Sequence, residues 1–336
     1  MGDQKSTTHL SPTNVRHLLD SLDAFLFDCD GVIWKGDTLI DGVPQTLEML
    51  RSKGKKVVFV TNNSSKSRKQ YAQKFQSLGI PVTEEEIFSS SFAAAMYLKV
   101  NNFPPEKKIF FNLIFVVEVF TKVCSDLKVI RYSSASNDPI FYRMLVYCFS
   151  NADACLMLVQ VYAIGGEGII EELRLAGYTG IGGPEDAQKT VQLKANTLFE
   201  HDKSVGAVVV GIDPYINYYK LHVVVMDGWK MVCRYGTLCI RENPGCIFIA
   251  TNRDATGNMT DLQEWPGAGC MVAAVCGATG KEPIVVGKPS TFMMDFLRKK
   301  YNIPTSKMCM VGDRLDTDIL FGQNAGCTTL LVLSVA

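Results

Sequence analysis

The sequence lacks an excess of charge of either sign. Its 34 lysines and arginines balance 34 aspartates and glutamates, so the formal net charge is zero. Attraction to nucleic acid or to an acidic membrane surface depends on a positive field, which this balance does not supply. We therefore expect no nucleic-acid partner and no membrane partner, and a bound anion must be held by a local site.

The sequence also lacks paired cysteines and long hydrophobic runs. Its eleven cysteines contain no C-x-x-C pair and no spacing typical of a zinc site or a disulfide framework. No segment has the ~20 uninterrupted apolar residues that a membrane-spanning helix needs, and the amino terminus has no apolar signal core. These absences favour a reduced, cytoplasmic location.

Four short apolar runs, by contrast, predict buried strands that end in polar residues. They read AFLFD, KKVVFVTNN, EPIVVGKPS and KMCMVGDRLDTDI, and helical patterns follow at 65–78 and 291–300. A repeated order of strand, polar tip and helix is typical of a doubly wound α/β sheet, whose site lies beyond the carboxyl ends of the strands. We therefore expect one shared edge to carry Asp28, Asp30, Thr61, Asn62, Lys288, Asp313 and Asp318.

The first polar tip has two carboxylates with one residue between them. Residues two apart in an extended chain point to the same side, so Asp28 and Asp30 are neighbours in space. Adjacent carboxylates repel each other, and such a pair persists when a cation neutralises it or when one member holds a proton. Gly31 then lets the backbone turn away and leaves room for a ligand.

Asp313 adds a third carboxylate, and hard oxygen ligands of this kind suit Mg²⁺. A phosphate would complete the charge balance, with its other oxygens held by Lys288, Thr61 and Asn62. Each signal alone has an ordinary explanation, since D-x-D and Thr-Asn are common in turns and a lysine before proline is usually at the surface. Their joint position at the ends of four apolar strands is what predicts a site.

These four tips resemble the motifs of the haloacid dehalogenase superfamily of phosphohydrolases. DCDGVIW is similar to its first motif, FVTNNS to its second, GKPS to its third and VGDRLDTDI to its fourth. Longer stretches, such as NPGCIFIATNRDA, resemble the plant-type phosphoglycolate phosphatases, which are grouped with the 4-nitrophenylphosphatases. The resemblance implies a Rossmann-like, doubly wound parallel sheet with an α/β cap inserted between the second and third motifs.

The resemblance also implies catalytic roles. Asp28 would be the nucleophile that forms an aspartyl-phosphate, and Asp30 would act as acid and then as base. A carboxylate nucleophile divides one difficult displacement into two steps, which agrees with this assignment. The phosphoryl group would be bound by Thr61, Asn62, Asn63 and Lys288.

A metal site and a cap contact follow from the same resemblance. The ligands of Mg²⁺ would be the Asp28 side chain, the Asp30 main-chain carbonyl and Asp313, with Asp318 in support. The tetrad TNRD, at Thr251–Asp254, would lie over the phosphate and contribute Thr251 and Asn252 to substrate binding. A plain hairpin turn is the other interpretation of this tetrad.

The resemblance favours 2-phosphoglycolate as the substrate of a Mg²⁺-dependent phosphomonoesterase. Pyridoxal phosphate, other small phosphate esters and phosphotyrosine stay open, because the cap selects the substrate. The expected partners are a small phosphorylated metabolite and a second copy of the chain, in a homodimer formed through the cap. The alternative from another class is a non-catalytic or unstable chain that at most binds phosphate or a partner subunit.

The predicted domains are a flexible N-terminus at 1–20, a phosphatase core at 21–103 and 266–336, and a cap at 104–265. Two segments, 111–160 and 221–233, interrupt the family pattern, and the longer one has no sustained helical or strand periodicity. We interpret them as retained intron sequence. The chain also ends at LVLSVA, just after a core strand, where the family pattern continues.

The first prediction concerns the longer insertion. Deleting residues 112–160 joins Phe111 to Val161 and creates the strand KKIFFVYAIGG. We expect a higher soluble yield and a higher melting temperature, because the deletion removes exposed apolar surface and the ordering cost of a long loop. Thermal unfolding of the two proteins measures this, and a lower midpoint after deletion would mean that the segment belongs to the fold.

Overall fold

The computed structural model describes residues 9–104, 106–109, 155–190, 202–221, 225–227, 230–232, 236–257 and 263–333. The chain divides into two units, Met1–Phe103 with Gln160–Ala336 and, separately, Pro104–Val159. Among the described residues, no helix combines the length and hydrophobicity that crossing a bilayer requires.

The described helices, in chain order, are α1 Pro12–Ser21, α2 Val43–Ser52, α3 Arg68–Ser77, α4 Ser90–Val100, α5 Glu167–Leu175, α6 Tyr218–Leu221, α7 Gly236–Glu242, α8 Ala268–Thr279, α9 Phe292–Tyr301 and α10 Leu320–Asn324. Short 3-10 turns lie at Glu84–Glu86, Gly183–Asp186 and Thr305–Lys307, and a π-helical turn lies at Leu315–Ile319.

The described strands are β1 Ala24–Phe27, β2 Trp34–Lys35, β3 Thr38–Leu39, β4 Lys56–Thr61, β5 Ile87–Ser89, β6 Glu106–Ile109, β7 Cys155–Leu158, β8 Gln160–Ile164, β9 Thr179–Gly182, β10 Val205–Val210, β11 Val225–Asp227, β12 Lys230–Val232, β13 Ile247–Ala250, β14 Thr256–Gly257, β15 Trp265–Pro266, β16 Ile284–Val285, β17 Met308–Gly312 and β18 Thr328–Leu331.

The first sheet has the strand order β18-β17-β1-β4-β5, and all its neighbours are parallel. Every residue of β1 and β17 is buried. Strands covered on both faces read as continuous apolar runs, which is why the sequence shows no alternation here. Phe27 at the end of β1 lies beside Val311 of β17 and Phe59 of β4, so the polar residues that follow these strands share one edge.

The second sheet is also parallel, with the order β16-β13-β10-β8-β9. The predicted fold class, α/β with a doubly wound parallel core and an α/β cap, is confirmed by these two five-stranded sheets. Helix α8 and strand β16 follow residue 265, yet β16 pairs with β13, and Val272 and Val275 of α8 belong to the hydrophobic core of this sheet. The second sheet and its core thus include elements that lie beyond residue 265. The range 104–265 for the cap stays a prediction.

Helix α1 begins at Pro12, inside the N-terminal segment 1–20 that the sequence predicted to be flexible. Ser11 caps it, because its hydroxyl accepts a hydrogen bond from the Asn14 backbone while the Asn14 side chain accepts one from the Ser11 backbone at 2.7 Å. Leu18 and Leu19 pack against the core of the first sheet. This packing gives the helix the tertiary support that a short helix needs. Residues 1–8 lie outside the described residues.

An aromatic cluster lies beneath the loop that carries Asp30. The rings of Trp34 and Phe75 have centroids 4.7 Å apart, and those of Phe59 and Phe75 are 4.4 Å apart. All three side chains are fully buried. Because Trp34 lies four residues after Asp30, this packing holds the loop in place at the sheet edge.

The first predicted insertion, 111–160, lies largely outside the described residues, and the second, 221–233, lies partly outside them. In the unit Pro104–Val159, β6 pairs with β7 in antiparallel fashion, and residues 110–154 between them are not described. In the second insertion, β11 and β12 form an antiparallel pair. The interpretation of both segments as retained intron sequence stays a prediction.

The second prediction concerns the aromatic cluster. Phe75→Ala should lower the free energy of unfolding by about 3–5 kcal/mol, because it leaves a cavity beside Trp34 and Phe59. Denaturant titration followed by fluorescence and circular dichroism measures the change. The control is Gln76→Ala, an exposed position on the same helix, and equal effects of the two substitutions would contradict the structural role of the cluster.

Candidate active site

The pair of acids at the end of β1 is arranged as the sequence predicts. Asp28 is buried and donates its backbone N–H to the Val311 carbonyl at 2.9 Å. The carboxylate of Asp30 accepts a hydrogen bond from Trp34 Nε1 at 2.8 Å. Gly31 has φ +88°, a left-handed conformation that favours glycine, and the chain turns away directly after the two acids.

Lys288 holds the centre of the site. Its Nζ donates to Asp28 Oδ1 and to Asp318 Oδ1, both at 2.6 Å, and to the Val60 carbonyl at 2.9 Å. The residue is only 1% exposed. Burial lowers the pKa of Lys288, but the two carboxylates raise it more, so its pKa lies above the ordinary lysine value. Lys288 is therefore a charged ammonium at neutral pH.

Asn62 fixes the backbone of Lys288. Its Nδ2 donates to the Lys288 carbonyl at 3.0 Å, and its Oδ1 accepts from the Lys288 N–H at 2.8 Å. Beside it, the buried Thr61 hydroxyl accepts from the Asn63 N–H at 3.1 Å. The second strand tip thus shapes the loop that presents the lysine.

Three carboxylates form a candidate metal site. Oxygen atoms of Asp28, Asp313 and Asp318 all lie within 4.8 Å of one another. Burial raises the pKa of Asp28 well above the ordinary value, although Lys288 opposes this, and burial also raises the pKa of Asp313. A divalent cation would favour the ionised carboxylates, and three oxygen donors of this hardness fit such an ion. The Asp30 carboxylate, which faces Trp34, is outside this group.

These residues open onto one cavity of about 100 Å³. Its wall contains nine of the ten residues that the sequence singled out: Asp28, Asp30, Thr61, Asn62, Asn63, Asn252, Lys288, Asp313 and Asp318. The tenth, Thr251, is fully buried and not on the wall; its Oγ1 lies 3.4 Å from Ser64 Oγ. Asn252 also donates to the Asn62 carbonyl at 2.7 Å. The TNRD tetrad therefore meets the second strand tip.

Comparison with known proteins assigns the chain to a family. Residues 25–114 match the model of the haloacid dehalogenase-like hydrolases, and residues 285–334 match a HAD-hydrolase-like model. The sequence is 62% identical over 326 residues to phosphoglycolate phosphatase 2 of Arabidopsis thaliana, covering 97% of this chain and 87% of that protein. It is 31% identical to glycerol-3-phosphate phosphatase of Mus musculus, covering 99% and 85%. This chain belongs to the haloacid dehalogenase-like hydrolases.

Solved structures agree with this family. The p-nitrophenyl phosphatase from Archaeoglobus fulgidus aligns with a TM-score of 0.61 and 25% identity, over 93% of this chain and 87% of that one. Glycerol phosphate phosphatase Rv1692 from Mycobacterium tuberculosis, in complex with magnesium, aligns with a TM-score of 0.63 and 25% identity, over 94% and 70%. The resemblance found in the sequence is confirmed: this hydrolase is a phosphatase, and a small phosphorylated metabolite is its substrate.

Phosphatases of this family use a divalent metal ion, and the cluster of Asp28, Asp313 and Asp318 has the donor set for one. Two further charged residues line the wall, Asp254 and Arg314, and the sequence assigned a role in the site to neither. Asp254 accepts hydrogen bonds from Asn62 Nδ2 at 3.1 Å, and burial raises its pKa. Asp254 is the last residue of the TNRD tetrad, and Arg314 directly follows Asp313. Their positions within or next to the motifs could therefore have predicted that they line the site.

The third prediction uses Gly31, where an added Cβ would lie less than 3.0 Å from Asp313 Oδ2. Gly31→Ala should displace Asp313 and raise the Mg²⁺ concentration needed for half-maximal hydrolysis of p-nitrophenyl phosphate. Gly54→Ala is the matched control, because Gly54 also has a positive φ, +70°, but nothing within 4 Å of the added Cβ.

Both substitutions should cost about 1–3 kcal/mol of backbone strain, which thermal unfolding measures. Only Gly31→Ala should change the dependence on Mg²⁺. A parent-like Mg²⁺ dependence in a folded Gly31→Ala protein would count against Asp313 as a metal ligand.

Proposed function

We propose that this hydrolase is a Mg²⁺-dependent phosphatase of 2-phosphoglycolate that works through an aspartyl-phosphate on Asp28. The observation that carries the proposal is the buried Lys288 ammonium, 2.6 Å from both Asp28 Oδ1 and Asp318 Oδ1, at the wall of the cavity that Asp30, Thr61 and Asp313 also line. The 62% identity to phosphoglycolate phosphatase 2 of Arabidopsis thaliana supports the choice of substrate.

In the first step, a carboxylate oxygen of Asp28 attacks phosphorus, and the bond from phosphorus to the ester oxygen breaks. Asp30 gives a proton to the leaving alkoxide, which departs as glycolate. In the second step, Asp30 takes a proton from a water molecule that attacks the phosphoryl group, and Asp28 is released with inorganic phosphate. The hydrogen bond from Trp34 Nε1 holds the Asp30 side chain in position for both transfers.

Lys288 offsets the negative charge that builds up around Asp28 during attack. Mg²⁺, held by the Asp28 side chain, the Asp30 main-chain carbonyl and Asp313 with Asp318 in support, would supply further positive charge at the transferring phosphoryl oxygens. Burial raises the pKa of Asp28 and so opposes the ionised form that attack on phosphorus requires. The positive charge of Lys288 favours the ionised carboxylate, and a bound metal ion would favour it further.

We propose that Thr61 and Asn63 bind the phosphoryl group directly. The Asn62 side chain is already hydrogen-bonded to Lys288 and Asp254, so we assign it to positioning the lysine. Asn252 bonds the Asn62 carbonyl and supports the same loop, and the buried Thr251 packs behind it near Ser64. The homodimer through the cap and the cytoplasmic location stay predictions.

The convergence of three charged side chains bears on the alternatives. Asp28, Lys288 and Asp313 all line one cavity, which favours a catalytic chain over one that only binds phosphate. Among the phosphate esters that the sequence left open, the 62% identity to phosphoglycolate phosphatase 2 of Arabidopsis thaliana favours 2-phosphoglycolate.

The fourth prediction tests this function. Phosphate release should give a kcat/KM for 2-phosphoglycolate about 10-fold or more above that for glycerol 3-phosphate or pyridoxal phosphate, as a site built for one polar group selects against others. Asp28→Asn should lower turnover on the order of 10⁴-fold, because an amide cannot replace the nucleophile. Asp295→Asn, at an exposed aspartate of α9, is the matched control.

Comparable turnover in Asp28→Asn and the parent would rule out the covalent mechanism. A higher kcat/KM for pyridoxal phosphate than for 2-phosphoglycolate would leave the mechanism standing and reject the substrate. Thermal unfolding of each variant separates loss of chemistry from loss of fold.

A further inference from the structure

The charge of the cavity wall limits where a second anionic group can bind. Its described residues include five carboxylates, Asp28, Asp30, Asp254, Asp313 and Asp318, against two cations, Lys288 and Arg314, which leaves a formal charge of −3. A substrate that carries a carboxylate besides its phosphate must place it beside a positive charge, because each wall carboxylate repels it. Of the two cations, Lys288 is already bonded to Asp28 and Asp318.

Arg314 is the second cation on the described part of this wall. Its backbone N–H donates to Asp318 Oδ2 at 3.1 Å, which fixes its position directly after Asp313. The guanidinium donates from Nε to Asp316 Oδ1 at 3.2 Å and from Nη2 to Asp316 Oδ2 at 2.9 Å. A guanidinium has five N–H donors, so these two bonds leave others for a ligand.

The ion pair between Asp316 and Arg314 is weak. The Asp316 side chain is 70% exposed, and an ion pair in contact with water contributes little and is screened by salt. Arg314 itself is half-buried at the cavity, where a charged hydrogen bond is stronger than in water. A ligand carboxylate inside the cavity can therefore compete with Asp316 for the guanidinium.

We propose that Arg314 binds the carboxylate of the substrate and thereby selects phosphorylated carboxylic acids over phosphorylated alcohols. This inference rests on the proposed function and names the residue that reads the non-reacting end of 2-phosphoglycolate. The planar guanidinium matches a carboxylate in a two-bond arrangement that the single ammonium of a lysine does not make. The same wall includes Gly267 and Ala268 at the N-terminus of α8, where the helix dipole also favours an anion.

The selection depends on the guanidinium N–H donors of Arg314 that do not bond Asp316. An analogue with a neutral hydroxyl in place of the carboxylate leaves the guanidinium without a charged partner inside the cavity, and such a mismatch is penalised. Arg314 is thus a specificity residue for the leaving group. The phosphoryl group is bound elsewhere, at Thr61, Asn63 and Lys288.

The fifth prediction uses two substrates that differ in one group, 2-phosphoglycolate and 2-hydroxyethyl phosphate. Arg314→Gln should lower the ratio of their kcat/KM values about 10- to 100-fold, as expected for loss of a hydrogen-bonded charge. The ratio for Arg314→Lys should lie between those of the parent and Arg314→Gln, because lysine keeps the positive charge but cannot make the two-bond contact of a guanidinium. Arg298→Gln, at an exposed arginine of α9, should match the parent.

Asp316→Asn removes the carboxylate that competes with the substrate for Arg314 and leaves Arg314 unchanged. It should raise the same ratio about 2- to 5-fold, with the larger effect at low ionic strength, because the competing carboxylate is gone. Calorimetric titration of 2-phosphoglycolate into Asp28→Asn, with and without Arg314→Gln, provides a readout that does not depend on turnover. The dissociation constant should rise by a factor similar to the fall in the ratio.

An equal loss on both substrates in Arg314→Gln would overturn the inference, because it would mean that Arg314 serves the phosphoryl group or the fold. A parent-like ratio in Arg314→Gln, or a lower ratio in Asp316→Asn, would also overturn it. Failure of the proposed function looks different: the parent would hydrolyse p-nitrophenyl phosphate and show no preference for 2-phosphoglycolate over the hydroxyethyl ester.

Discussion

The burial of one ammonium group between two carboxylates organises this molecule. Lys288 lies 260 residues from Asp28 in the sequence, and both are removed from water. A buried charge without a partner is strongly destabilising, so the chain must bring the end of β1 and the π-helical turn with Asp318 to the lysine. The parallel sheet does this, because the carboxyl ends of its strands meet at one edge.

The same lysine couples the second sheet to the first. Asn62 bonds the Lys288 backbone on one side and Asp254 on the other, and Asp254 belongs to the loop after β13 of the second sheet. The glycines at 166 and 168 approach Ser65 and Lys66 so closely that an added Cβ would lie within about 3 Å of their backbones, which shows tight packing between these layers. The cavity-lining loops of the two sheets are therefore joined through Asn62 and the backbone of Lys288.

Charge explains why a metal and a second cation both matter. Five carboxylates against two cations give the described wall a formal negative charge, which is unfavourable for a phosphate ester until positive charge is added. A divalent ion adds it at the reacting end. Arg314 is the second cation on the described wall, and in our proposal it serves the substrate carboxylate while Lys288 serves the phosphoryl group.

Local rules determined the parts of this protein that the sequence could predict. The apolar runs marked the buried strands, and the family motifs pointed to nine wall residues, among them Asp28 and Asp30, which follow the end of β1. The helical N-terminus, the membership of α8 and β16 in the second sheet, and the position of Thr251 behind the wall were decided by tertiary structure. So were Asp254 and Arg314: the hydrogen bond between Asn62 and Asp254 joins residues 192 apart. Such contacts depend on which strand ends become neighbours in the fold, and the periodicity of the sequence does not specify those neighbours.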